Sequence, residues 1–156
     1  MSRSLARVEA ALAGAGLAVR ILQMPGETRT ALQAAEAAGC TLDQIVKSLV
    51  FRGIESGHAR LFLTAGGNRI ANGKASSLAG EALAPADAAL IRRETGFAIG
   101  GVAPLGHLKP IAAWFDPRLM AFDTVWAAAG TPRHIFAIPP AELLRITGAV
   151  MADFVA

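Results

Sequence analysis

Three stretches of this 156-residue chain bring together residue types that can do chemistry. The first is Gln44-Ile45-Val46-Lys47-Ser48-Leu49-Val50-Phe51, where Lys47 is the one charge in an apolar run. Such a lysine either faces solvent or snorkels at a sheet edge, or its ammonium points into a pocket and holds an anionic or carbonyl oxygen. The second is Gly100-Gly101-Val102-Ala103-Pro104-Leu105-Gly106, with three glycines around one proline. Glycine lets main chain approach a ligand closely, and a rigid loop can aim N–H groups at a developing oxyanion; the alternative is a surface turn. The third is Ala128-Ala129-Gly130-Thr131-Pro132-Arg133-His134, either the floor of a pocket or a hairpin turn, in which His134 has no partner visible from sequence.

Other chemistries lack their residues. His58, His107 and His134 are far apart and there is one cysteine, so no metal-ligand cluster and no metal is expected. A Gly-x-Ser-x-Gly elbow and a phosphate-binding Walker loop are both missing, and Gly96 to Gly101 does not have dinucleotide-binding spacing. No cofactor is therefore expected.

The elements that must position these stretches read as short strands mixed with short helices. Leu5, Val8 and Leu12 share a helical face over residues 2–15, closed by Gly14 and Gly16. Leu17, Val19 and Ile21 alternate as a strand, and Pro25-Gly26 makes a turn. Thr30 caps an alanine-rich helix ending at Gly39, and Thr41 with Gln44 resembles a capping box. Residues 45–51 suit a strand, with 60–64 as its partner. A helix over 73–80 follows, and another begins with Pro85 and Asp87 in its first turn and runs to about Glu94. Strands are expected at 111–115, 124–128 and 135–138. A last helix runs from Pro139-Pro140 to Gly148, with a final strand over 150–155. The fold class is α/β (mixed α+β), a single domain over 1–156.

Composition agrees. Hydrophobic residues make up 53% and charged residues 17%, enough for a substantial core. No run reaches the roughly 18 apolar residues that span a bilayer. The start carries charges at helical spacing and reads as no export signal, and the lone Cys40 suits a reducing cytoplasm. The net charge of +3, with twelve arginines to three lysines, is compatible with a polyanionic partner.

Together the motifs resemble the YbaK/prolyl-tRNA-synthetase-associated editing-domain family over about Arg20 to Asp153. They stand in the family's order: the alanine helix at 28–39, the Gln-Ile-Val-Lys-Ser-Leu strand, Thr95-Gly96-Phe97, the 100–106 loop, Phe115-Asp116, Gly130 and Leu143-Leu144-Arg145-Ile146-Thr147-Gly148. The lysine strand followed at this interval by Gly-x-x-x-Pro is the most specific part. The resemblance implies a mixed barrel-like sheet surrounded by short helices. It implies hydrolysis of the ester joining an amino acid to the tRNA 3′ end, commonly tRNA(Pro), with prolyl-tRNA synthetase as a possible partner. It places Lys47, Gly100 and Gly101 in catalysis, and Met24, Thr30, Ser48, Val102, Pro104, Ala128, Gly130 and His134 around the substrate. In the family's cysteine-removing branch a serine stands near Ala128, an acidic residue near Ile135, and aromatic residues near Met24 and Thr30. The residues here imply a less polar amino-acid pocket.

Two other readings stand beside it. Residues 31–50 fit a helix-turn-helix with 41–50 as recognition helix, although Val46, Leu49, Val50 and Phe51 would leave it little polar surface for base edges. A catalytically silent homologue that binds tRNA or a synthetase is the other, since fold does not fix function.

Overall fold

A computed structural model describes residues 2–156. Its frame is one mixed eight-stranded sheet with short helices packed against it, which bears out the expected fold class. Strand β2 (Ile45–Gly53) and strand β3 (Ala59–Ala65) form the antiparallel centre, in register from Val46 against Ala65 to Arg52 against Ala59. Residues 41–50 therefore do not form a recognition helix, and the helix-turn-helix reading falls. β-branched and aromatic side chains pack better on a pleated surface than around a helix.

Outward from β3 lie β5 (Ala112–Phe115) and β8 (Val150–Met151), each parallel to its neighbour. Outward from β2 lies β6 (Val125–Ala128), parallel to it, then β7 (His134–Ile138) and β1 (Ile21–Gln23). A short strand, β4 (Leu83–Pro85), also pairs with β2.

Alternation along the two central strands sorts their side chains onto two faces. Val46 and Val50 join Leu61, Leu63, Phe97, Phe115 and Phe136 in the main core. Leu49 and Phe51 join Phe62, Trp114 and Phe154 on the other face, where Phe62 stacks on Trp114 at 5.0 Å. Apolar residues pack on both faces, so these strands read as nearly continuous apolar runs.

Helix α1 (Arg3–Gly14) is capped by the Ser2 hydroxyl and buries Val8 and Leu12 in the main core. Helix α2 (Ala31–Ala38) starts with a Thr30–Gln33 capping box and ends at Gly39 in the left-handed conformation. Helices α3 (Asn72–Ala79), α4 (Ala88–Thr95) and α5 (Pro140–Thr147) complete the set.

Three expectations need correction. Leu17 and Val19 pack against the main core outside any strand, and only residues 21–23 pair. Pro85 closes β4, while Asp87 caps α4 by accepting the Leu90 N–H. A proline without an N–H is tolerated at the end of a short outer strand. The final strand shrinks to Val150–Met151 plus a bridge between Val155 and Ile70.

Candidate functional site

One flank of β2 is interrupted by a gap in the sheet. On the β3 flank, β2 is paired over seven residues. On the opposite flank it pairs with β6 only at Ile45 and Val46, and with β4 only from Phe51 to Gly53. Residues 47–50 have no strand beside them there. Ile54 donates its N–H to the Ala82 carbonyl on this flank, whereas Gly53 donates to His58 on the β3 flank. Main-chain groups alternate between the two flanks of a strand, so Ser48 and Val50 direct theirs at the gap.

A cavity of about 540 Å³ fills this gap. Its floor is β2 from Ile45 to Val50. Its walls are Thr28 to Ala31 and Ala34 from the start of α2, Ala127 and Ala128 from β6, Ala86 and Ile91 near α4, and Ile99, Gly100 and Val102 from the glycine loop. The sheet therefore brings Lys47 and the loop, more than fifty residues apart in sequence, to one cavity. Thr30, Ser48 and Ala128 join them. The lining contains no aspartate, glutamate, histidine or cysteine.

Lys47 is half-buried, and its Nζ donates to the main-chain carbonyl of Asn68 at 2.5 Å. Burial pushes its pKa below the ordinary lysine range and nearby Arg69 pushes the same way, while Asp116 and Asp43 oppose them.

The loop is held from behind. Gly100 has φ +89°, a left-handed conformation that favours glycine, and a Cβ there would meet Nη1 of Arg29 at 2.8 Å. Arg29 donates to the Ile99 carbonyl (3.3 Å) and pairs with Glu27 (2.9 Å), tying the start of α2 to the loop. His107 is half-buried, and its Nε2 lies 2.8 Å from the Ala103 carbonyl, which fixes that nitrogen as the donor. Burial pushes its pKa below the ordinary histidine range, the bond to the Ala103 carbonyl opposes this, and Arg7 adds to the lowering. Arg7 of α1 donates to the Gly96 carbonyl (2.7 Å) and lies over the Phe97 ring. The Gly101 N–H is taken by the Ala98 carbonyl (3.1 Å). Among the described residues, the N–H groups of Gly100 and Val102 have no protein acceptor, and both residues line the cavity.

The remaining predicted residues lie behind or beside the cavity. Gly101 packs against the main chain of Thr131 and Pro132, where a Cβ would approach to 2.9 Å. Pro104 is buried beneath the loop. Gly130, at φ +94°, sits under α1, where a Cβ would meet the Ser4 carbonyl oxygen at 2.8 Å. Met24 donates its N–H to the Arg133 carbonyl beyond the end of β1. His134 bonds Thr131 Oγ1 through Nδ1 (2.6 Å) and faces a second groove beside α1. The reading by sequence missed Arg29, Ile91, Ile99 and Trp126. Nothing in the spacing of these residues signals that they converge.

Comparison with known proteins agrees with this fold. Residues 25–146 match the model of the aminoacyl-tRNA editing domain family. The uncharacterized protein YwhH of Bacillus subtilis (strain 168) is 33% identical over 126 residues, covering 79% of this chain and 78% of its own length. A solved structure named as a candidate trans-editing enzyme for prolyl tRNA synthetase superposes with a TM-score of 0.92 at 47% identity, covering 100% of this chain and 99% of its own. The hypothetical protein APE2540 superposes with a TM-score of 0.88 at 30% identity, covering 96% and 99%. This chain belongs to the aminoacyl-tRNA editing domain family.

Proposed function

We propose that the protein hydrolyses the ester of a mischarged tRNA, with tRNA(Pro) carrying a small, largely apolar amino acid as the substrate. The observation that carries this reading is the cavity itself. It brings Lys47 together with Gly100 and Val102, whose N–H groups have no acceptor among the described residues, in the lining of an apolar space of about 540 Å³. An aminoacyl ester is already activated, so placement and charge stabilisation supply much of the rate. The N–H groups of Gly100 and Val102 receive the carbonyl oxygen as it becomes an oxyanion. Lys47 neutralises a phosphate or orients the ester. Water, or a group of the substrate itself, attacks.

No protein nucleophile is required, and the lining supports that. The Thr28 hydroxyl donates to the Pro132 carbonyl (3.0 Å), and the Thr30 hydroxyl accepts the Gln33 N–H (3.1 Å). Among the described residues, the Ser48 hydroxyl is buried without a protein partner, and no base lines the cavity beside it. A hydroxyl without an adjacent base is a weak nucleophile. Ala128 and Ile135 bound the space for the amino acid with apolar surface.

The structural relative named for prolyl tRNA synthetase supports tRNA(Pro) as the first tRNA to test and the synthetase as a possible partner. Arginines, outnumbering lysines twelve to three, are the proposed phosphate contacts, so tRNA affinity should fall as salt rises. The deciding experiment is a deacylation screen over tRNA(Pro) charged with alanine, cysteine, serine and proline. Hydrolysis of the alanyl species well above background, with correctly charged tRNA spared, is the expected result. Salt-sensitive tRNA binding with no hydrolysis of any species would establish the silent binder instead.

A further inference from the structure

Lys47 is held from outside the cavity by a short relay. The chain leaves β3 through a tight turn at 65–68, in which the Asn68 N–H donates to the Ala65 carbonyl (2.9 Å) and the Gly67 N–H donates to Asp43 Oδ1 (2.8 Å). The carbonyl of Asn68 receives the Lys47 ammonium. The side-chain amide of Asn68 donates to Asp116 Oδ2 (2.9 Å). That oxygen also accepts the Ala65 N–H (3.0 Å), and Asp116 Oδ1 accepts the Arg118 N–H (2.9 Å). Asp116, which follows β5, is 1% exposed, so its carboxylate is a fixed anchor.

We propose that Asp116 is a positioning residue for Lys47, acting through Asn68 to fix where the ammonium of this cavity-lining residue is held. The proposal rests on Lys47 being the functional cation of the site. A buried carboxylate with three good donors does not move, so it locks the turn, and the locked turn fixes the carbonyl that the ammonium must meet. The acid also acts through space. Burial and Arg69 work against the charged form of Lys47, while Asp116 and Asp43 favour it. Asp43 is itself paired with Arg118 (3.0 Å), and Arg29 stands across the cavity. Among the described residues, the Asp116 carboxylate, unlike that of Asp43, has no cationic side chain bonded to it.

The test separates positioning from plain stabilisation. The chain has three lysines, Lys47, Lys74 and Lys109, so a lysine-labelled full-length protein gives an assignable NMR titration. In Asp116→Asn, the Lys47 midpoint should move to lower pH while those of Lys74 and Lys109 stay. Single-turnover hydrolysis of mischarged tRNA should fall about 10- to 100-fold through kcat, with KM little changed. Asn68→Ala keeps the carboxylate but cuts the relay, and should lower kcat in the same range. It also serves if Asp116→Asn does not fold. A folded Asp116→Asn whose Lys47 titrates as in the parent, or a folded Asn68→Ala with the parent's kcat, overturns the assignment. If the parent hydrolyses no mischarged tRNA, the functional proposal falls, and the lysine titration still judges the relay.

Discussion

The two flanks of β2 differ sharply. Toward β3 the strand is laddered over seven residues, and it packs Val46 and Val50 against the main core, with Leu49 and Phe51 on the second. Toward β6 and β4 it is interrupted for four residues, and a cavity occupies the interruption. One strand thus carries a ladder on one side and a cavity on the other. A fully paired β2 would leave no cavity, and a β2 without the β3 ladder would not hold Lys47 in register. The proposed chemistry would sit where regular pairing stops, as binding sites do when a rigid frame presents irregular segments.

The comparison can be broken from either side. The largest expected effect is on the closed flank. Phe62 is fully buried, stacked on Trp114 and edge-on to Phe51 and Phe154. Phe62→Ala should cost about 3–5 kcal/mol of stability in denaturant unfolding. Below the new melting transition, deacylation per folded molecule should stay within about twofold of the parent, since Phe62 does not line the cavity. A loss of rate in fully folded Phe62→Ala would mean that the flanks are not separable.

On the open flank the expectation reverses. Lys47→Ala should slow single-turnover deacylation about 100-fold or more, the scale of losing one preorganised charge-stabilising group. Melting should hardly move, because the ammonium is half-buried with one carbonyl acceptor and removing it leaves no core void. Near-normal hydrolysis by folded Lys47→Ala would return the lysine to a role as a surface cation.

Much of the closed flank was legible in the sequence, because local signals and tertiary outcome agree there. The β-branched run at 45–51, the glycine-bearing turn at 53–57 and the apolar run at 60–64 together specify a hairpin. Lys47 stood out because a charge in such a run needs an explanation. The gap was not legible. It depends on β6, about eighty residues away, diverging after Ala127, and on a three-residue strand that ends in a proline. No period in β2 itself records which flank its partners cover. Gly130 and His134 lie outside the cavity lining for a related reason. A glycine beside a strand end marks close approach, but the approaching group is α1, and the loop that does face the cavity is the one before Pro104. Gly101 shows that a glycine-rich motif identifies a loop without saying which of its N–H groups are free.

A smaller effect sharpens the boundary of the open flank. Ala128 ends β6 at the cavity wall. Ala128→Val narrows the space for the amino acid without adding a polar group. Discrimination per methylene is about 1–3 kcal/mol, so hydrolysis of 2-aminobutyryl-tRNA should fall roughly tenfold relative to alanyl-tRNA. An unchanged ratio would place the amino-acid side chain elsewhere in the cavity.

The smallest effect tests a residue that belongs to both regions. Thr30 lines the cavity mouth, yet its hydroxyl accepts the Gln33 N–H, while the Gln33 side chain receives the Thr30 N–H (3.2 Å) and the Arg29 N–H (3.1 Å). With the hydroxyl engaged in the cap, its first role is to start α2, and α2 carries Ala31 and Ala34 to the wall. Thr30→Ala should therefore cost about 1 kcal/mol of stability, and Thr30→Ser should recover most of it, because serine caps as well as threonine does. Deacylation of the folded protein should shift less than threefold in either variant, through KM, since a frayed first turn loosens Arg29 and its hold on the Ile99 carbonyl. If Thr30→Ala melts like the parent but loses kcat, and serine restores kcat, the hydroxyl acts on the substrate, and the open flank extends one residue further along the mouth than its hydrogen bonds indicate.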